Sequence, residues 1–82
     1  FGGEEFVIAH TITKPDEARR CLENMRRRIA EIDLRHEGET VPLTVSIGAT
    51  HKHGLTLDDM LQRADRAVYE AKSRGRNRVV ID

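Results

Sequence analysis

The chain has 82 residues, and 14 Lys and Arg balance 14 Asp and Glu, so its formal net charge is zero. A domain of this size buries only about 60–65 % of the surface that its unfolded chain exposes, so the length excludes a second core. The zero charge excludes the broad basic surface of a nonspecific nucleic-acid or anionic-membrane binder, and no stretch approaches the roughly 18 apolar residues of a membrane span. We therefore expect a single domain, with no nucleic-acid partner and no membrane contact by this segment.

The first third of the chain predicts a strand followed by a helix. Residues 6–9 are a short apolar run rich in strand-forming residues, which predicts a buried strand. Thr13 then has the place of an N-cap, and Pro15 falls in the first turn of the helix that follows. Apolar residues at helical spacing predict that this helix ends near Leu34: Ala18, Cys21, Leu22, Met25, Ile29 and Ile32.

Two features of this first helix bear on function. Cys21 lies on the apolar face, which predicts a buried and unreactive thiol, and a lone cysteine agrees with a reducing cytoplasm. The run Arg26-Arg27-Arg28 spreads around the helix because consecutive residues point in different directions, and the chain lacks the aromatic stacking platform of an RNA-binding sheet. We therefore interpret the three arginines as a solvated helix face.

The middle of the chain predicts a loop and a second strand. Residues 35–40 are polar and include Gly38, which is typical of a loop. Residues 41–50 alternate apolar with small polar side chains, which predicts a strand. Pro42 has no N–H to donate to a sheet, so we place it at the start of that strand.

The last third predicts a second helix and a closing strand. Thr56 precedes Asp58 and Asp59 in the pattern of a capped helix start. Gly75 has the place of the C′ residue that ends the helix, and Val79 to Ile81 form a short strand. The order is β-α-β-α-β, which predicts an α+β fold with a central antiparallel or mixed sheet and helices packed against it.

Two clusters of residues could carry chemistry. The first is acidic and follows two glycines: Gly2, Gly3, Glu4 and Glu5. Glycines let a ligand approach the backbone closely, and carboxylates are the hard oxygen ligands that Mg²⁺ prefers. Strand alternation turns the two carboxylates apart, so we favour Glu4 as the main metal ligand.

The second cluster is basic and lies at the end of the second helix. Lys72 and Arg76 are four residues apart and could reach one side of the helix end if the helix frays at Gly75. An ammonium and a guanidinium together suit a triphosphate. The spacing alone equally fits cations that interact with the helix dipole, and the two glycines equally fit an ordinary hairpin turn.

Three segments, in order, resemble one family. Gly2-Gly3-Glu4-Glu5-Phe6 resembles the signature of the GGDEF family of bacterial diguanylate cyclases, in its Glu-containing form. Residues 43–48 resemble the central strand of that family, and residues 64–77 resemble its C-terminal helix and the exit from it. The resemblance implies a ferredoxin-like, nucleotidyl-cyclase-like fold. It matches residues 1–82 to the C-terminal portion of a single GGDEF domain, starting at the signature hairpin, with the N-terminal half absent.

The resemblance also implies the roles of the two clusters. Glu4 matches a catalytic position that ligates Mg²⁺ and helps to deprotonate the attacking 3′-hydroxyl, and Glu5 matches a neighbouring acidic metal position. Gly2 and Gly3 match the hairpin against which the nucleotide lies. Lys72 and Arg76 match residues that contact the triphosphate.

The activity implied is a nucleotidyltransferase reaction in which two GTP molecules condense into the second messenger cyclic di-GMP. Each of two facing GGDEF domains in a homodimer holds one GTP, with two Mg²⁺ ions per active site and Mn²⁺ as an alternative. The absent half would supply an aspartate metal ligand, the residues that bind guanine and any Arg-x-x-Asp inhibitory site, so we expect the 82 residues alone to be inactive. We expect a cytoplasmic bacterial location, with membrane anchoring, if any, through a separate sensor domain.

Two other functions stay open at this point. The first is a catalytically silent GGDEF domain that senses nucleotide or cyclic di-GMP, and loss of the absent aspartate would favour it. The second is a dimerisation module, which predicts no affinity for GTP. An active cyclase is favoured because Glu4, Glu5, Lys72 and Arg76 are all present.

Overall fold

The computed structural model describes residues 6–8, 14–51 and 56–82. Within them the elements are, in chain order, α1 (Pro15–Ala30), β1 (Arg35–His36), β2 (Glu39–Thr40), β3 (Ile47–Ala49), α2 (Leu57–Ser73) and β4 (Val79–Ile81). β1 and β2 pair antiparallel, and β3 and β4 pair parallel with α2 between them in the chain. The predicted α+β class is confirmed.

Helix α1 begins one residue later than predicted. Lys14 is the N-cap, with extended backbone and no side-chain hydrogen bond to the helix. The predicted cap, Thr13, lies outside the described residues. Pro15 opens the helix as predicted, because its fixed φ suits the first turn and its absent N–H has no partner there in any helix.

Helix α1 also ends earlier than predicted, at Ala30 rather than near Leu34. The reason is a hairpin in residues 35–40, where the sequence predicted only a loop. The carbonyl of Leu34 accepts a hydrogen bond of 2.7 Å from the N–H of Val41, which extends the pairing of β1 with β2. Glu37 and Gly38 have φ angles of 53° and 84°, as the two central residues of a type I′ hairpin turn require.

The strands predicted over residues 6–9 and 41–50 are wrong, the first among its described residues and the second in its length. Residues 6–8 are exposed, Phe6 by 88 %, and form no strand, while Ala9 lies outside the described residues. The predicted strand over 41–50 is limited to Ile47–Ala49. A strand requires a neighbouring backbone, and β4 supplies one for three residues only, so the alternating pattern before Ile47 forms no ladder among the described residues.

Residues 56–82 agree closely with prediction. The Oγ1 atom of Thr56 accepts a 3.2 Å hydrogen bond from the N–H of Asp59, so the predicted cap is confirmed. Helix α2 packs against β3 and β4, and α1 contacts β4. The buried hydrophobic residues among those described are all small: Ala18, Ala67, Ala71 and Val79.

Helix α2 approaches β3 most closely at Gly48. A Cβ atom at Gly48 would overlap the backbone of α2 at Ala64, Ala67 and Val68. The absence of a side chain at this strand position therefore lets the helix backbone lie directly on the sheet. This close contact fixes where α2 ends relative to β4, and with it the position of the basic cluster.

Candidate functional site

The basic cluster is built on the C-terminal end of α2. The helix ends at Ser73 and Gly75 follows with a φ of 118°, so the predicted C′ glycine is confirmed. The N–H of Gly75 donates to the carbonyl of Lys72 at 3.3 Å, and the N–H of Arg76 donates to the carbonyl of Ala71 at 3.0 Å. These two bonds define a Schellman motif, in which the chain folds back over the last helical turn.

The Schellman motif corrects the predicted relation between Lys72 and Arg76. The sequence placed both on one side of a fraying helix, but Arg76 lies outside the helix. The motif instead ties the backbone of Arg76 to the last turn, which contains Lys72. The exit turn, and not helical periodicity, therefore sets where the backbone of Arg76 lies relative to Lys72.

The exit turn has an uncommon backbone. Arg76 and Asn77 follow Gly75 with φ angles of 64° and 48°, so three consecutive residues lie in the positive-φ region. Asn adopts this region more easily than most residues, but Arg does so rarely. Such a run persists only where neighbouring groups hold it.

Two other arginines contact this turn. The Nε atom of Arg78 donates to the carbonyl of Arg76 at 3.0 Å. The Nη1 atom of Arg26, from α1, donates to Oδ1 of Asn77 at 2.8 Å. The sequence predicts that Arg26 is solvated like its neighbours. This prediction is wrong, because the Arg26 side chain crosses from α1 to the turn and is only 21 % exposed.

The basic side chains of the cluster differ in whether they form ion pairs. Arg74 forms an ion pair with Glu70 one helical turn earlier. Lys72, which is half-buried, and Arg76, which is exposed, have no ion pair or side-chain hydrogen bond within the described part of the chain. The exit turn thus presents two uncompensated cations, which is an arrangement suited to an anionic ligand.

The acidic cluster is the other group of residues that the sequence predicts to carry chemistry. Gly2, Gly3, Glu4 and Glu5 all lie outside the described residues. Among the residues that are described, no three His, Cys, Asp or Glu side chains form a group that could hold a metal ion. The metal-binding role of Glu4 and Glu5 therefore stays a prediction.

Other predictions concern residues away from the cluster. Cys21 is exposed, so its predicted burial is wrong: it borders an apolar surface of α1 formed with Met25, Ile29 and Ile32. In the described ranges, no helix is long and apolar enough to cross a membrane. Sequence reasoning assigned no role to Arg26, Asn77 or Arg78, and the one available signal was that Asn adopts positive φ more readily than most residues.

Comparison with known proteins identifies the family. The family model described as "Diguanylate cyclase, GGDEF domain" matches residues 1–78. Diguanylate cyclase DosC of Escherichia coli K12 is 41 % identical over 83 residues, which are 99 % of this chain and 18 % of that protein. Response regulator PleD of Caulobacter vibrioides NA1000 is 40 % identical over 84 residues, or 98 % of this chain and 18 % of that protein.

A third relative is more distant. Diguanylate cyclase A of Treponema denticola is 33 % identical over 84 residues, which are 99 % of this chain and 22 % of that protein. The chain therefore spans about a fifth of the length of these curated relatives. The match of the family model over nearly the whole chain shows that the chain belongs to the GGDEF domain family of diguanylate cyclases.

Proposed function

We propose that residues 1–82 are the C-terminal portion of a GGDEF domain that, when complete, condenses two GTP molecules into cyclic di-GMP. The observation that supports this proposal is the exit turn of α2, which ties the backbone of Arg76 to the last helical turn while Lys72 and Arg76 have no ion pair among the described residues. A triphosphate is the anion that suits such a pair, because the ammonium acts as a compact charge and the guanidinium as a bidentate fork.

The acidic cluster would complete the site in this proposal. Gly2 and Gly3 would let the nucleotide lie against the backbone, and Glu4 would accept the proton of the attacking 3′-hydroxyl. Glu4 and Glu5 would hold Mg²⁺, or Mn²⁺ in its place, and the bound ions would offset negative charge on the phosphates. The contribution of Lys72 and Arg76 is to orient the triphosphate for in-line attack.

The exposed apolar side chains support the view that the chain is part of a larger domain. Large hydrophobic residues of the described chain are exposed on α1 and near both hairpin strands: Met25, Ile32, Leu34, Val41 and Leu43. So many exposed apolar groups suit a chain whose core is completed by further residues. We infer that the 82 residues alone make no cyclic di-GMP, and that the complete domain acts in the bacterial cytoplasm as a homodimer with one GTP per domain.

The first test removes each cation in a protein that carries the complete domain. Lys72→Ala and Arg76→Ala should each weaken GTP binding about 10-fold or more, because charge-assisted hydrogen bonds contribute roughly 1.5–3 kcal/mol. Arg74→Ala is the matched control, since it removes a neighbouring charge that Glu70 already pairs. Isothermal titration with GTP measures the change, and unchanged affinity in Lys72→Ala and Arg76→Ala would refute the site.

The second test separates the cyclase from a silent sensor. Glu4→Gln keeps the shape of the side chain but removes its charge, so it should abolish turnover while GTP binding falls much less. Glu5→Gln should be milder, since alternation turns it partly away from the site. A Glu4→Gln protein with near-normal kcat at saturating Mg²⁺ would contradict the metal-ligand role. A protein that binds GTP or cyclic di-GMP without turnover would instead be a sensor.

A further inference from the structure

Arg26 differs from its neighbour Arg27, although both lie on α1. Arg26 donates from Nε and Nη2 to Oε2 of Glu23 at 3.3 and 3.2 Å, and from Nη1 to Oδ1 of Asn77 at 2.8 Å. Arg27 is exposed and, among the described residues, its side chain donates only to Asn24 on its own helix, at 3.3 Å. Glu23 thus orients the Arg26 guanidinium, and its third nitrogen reaches across to the exit turn.

The hydrogen bond from Arg26 reaches the part of the turn with the least favourable backbone. Arg76 and Asn77 both have positive φ, a conformation that is unfavourable for a residue other than Gly. The carbonyl of Arg76 is held from one side by Arg78, at 3.0 Å. Asn77 is held from the other side by Arg26, so the backbone between these two contacts is fixed by residues outside the turn.

We propose that Arg26 is a positioning residue for the triphosphate site, acting through Asn77 on the backbone that carries Arg76. This inference rests on the proposed function, because it assigns to Arg26 a role in the same GTP site. Arg26 need not touch the nucleotide. Its effect is to keep the turn in the one conformation that ties Arg76 beside Lys72, so that binding does not have to order the turn.

The decisive test is a double-mutant cycle in a protein with the complete domain, with the KM for GTP as the readout. Arg26→Ala should raise KM roughly 3- to 10-fold with a smaller change in kcat, the size expected for residues coupled in one hydrogen-bonded network. In an Arg76→Ala background, Arg26→Ala should raise KM no further. KM does not depend on how much of the protein is folded, so a loss of stability does not produce this pattern.

Two variants of Asn77 test the same contact from the other side. Asn77→Gly permits the positive φ but removes the acceptor, so it should raise KM as Arg26→Ala does and add nothing to it. Asn77→Asp keeps an oxygen facing Arg26 and should retain near-normal KM. Arg27→Ala is the control for loss of one positive charge on α1, and its KM should be unchanged.

The outcomes distinguish this inference from the proposed function. If Arg76→Ala leaves KM unchanged, the triphosphate site is refuted and the role of Arg26 falls with it. If Arg76→Ala raises KM but Arg26→Ala does not, or if the two effects multiply, the site stands and the positioning role is overturned. An equal rise in KM for Arg27→Ala would also overturn it, because a general loss of charge would then explain the effect.

Discussion

The two helices have nearly equal lengths, 16 residues in α1 and 17 in α2, but they are held in the fold very differently. Helix α2 has a side-chain cap at its start, a Schellman motif at its end, and two fully covered alanines, Ala67 and Ala71. Helix α1 has no side-chain cap, and Ala18 is its one buried side chain among those that the structure describes. A helix packs tightly here where small residues allow its backbone to reach the sheet.

The difference matters for function because the basic cluster is part of α2. A helix fixed at both ends and pressed on β3 holds Lys72 and the exit turn in place relative to the sheet. Helix α1 contributes through a polar contact instead, the bond from Arg26 to Asn77. Helix α2 thus carries Lys72 and leads into the exit turn, and the less buried helix supports that turn.

The largest loss of stability is expected from a substitution at Gly48, where α2 lies closest to the sheet. Gly48→Ala would place a Cβ atom against the backbone of α2, so it should lower the free energy of unfolding by about 3 kcal/mol, as overpacking in a filled core does. Urea denaturation of the complete domain measures the change. Gly38→Ala is the control: its Cβ would meet nothing, and only its φ of 84° opposes it, so about 1–2 kcal/mol is expected. Equal losses would show that close helix–sheet contact is not what fixes α2.

A smaller loss is expected from Val79, the buried residue of β4. Val79→Ala removes two methyl groups from beneath the helices and should cost about 2 kcal/mol. Leu57→Ala removes more carbon atoms, but that side chain is 68 % exposed at the start of α2, so it should cost less than about 0.5 kcal/mol. Thermal unfolding measures the loss of stability in each variant. A larger loss in Leu57→Ala than in Val79→Ala would contradict this prediction.

The helix caps provide a third contrast. Thr56→Ala removes the acceptor for the N–H of Asp59 and should destabilise the domain by about 1 kcal/mol. Lys14→Ala at the start of α1 removes no side-chain cap, so its effect should lie within about 0.3 kcal/mol. Urea midpoints of the two variants test this, and equal shifts would mean that the Thr56 bond contributes nothing.

These elements also show what the sequence could predict. The cap at Thr56, the glycine at C′ and the strand at 79–81 are local signals, and all three are confirmed. The strand at residues 6–8 and most of that at 41–50 required a neighbouring backbone, which no local pattern can show. The hydrogen bond from Arg26 to Asn77 joins residues 51 positions apart in the sequence. Helical spacing gives no reason to expect different contacts for Arg26 and Arg27.

The same limit applies to the site. Helical spacing predicts Lys72 and Arg76 on one side of the helix end, whereas a Schellman motif ties the backbone of Arg76 to the last turn, which contains Lys72. Glycine at C′ was recognised, yet the two positive φ angles after it depend on contacts from Arg26 and Arg78. Local signals therefore predicted where the helix ends better than they predicted the geometry of the turn that follows.

The smallest effect is expected where α2 meets the end of the chain. Nη1 of Arg63 lies 3.1 Å from Oδ2 of Asp82, and the same oxygen accepts a 3.4 Å hydrogen bond from Oγ1 of Thr50 after β3. Both charged side chains are about one-third exposed, so water and salt screen their attraction. A double-mutant cycle with Arg63→Ala and Asp82→Asn should give a coupling of roughly 0.5 kcal/mol that shrinks as salt rises from 0.05 to about 0.5 M. A coupling above about 2 kcal/mol that salt does not change would show that this ion pair, and not the close approach at Gly48, holds α2 on the sheet.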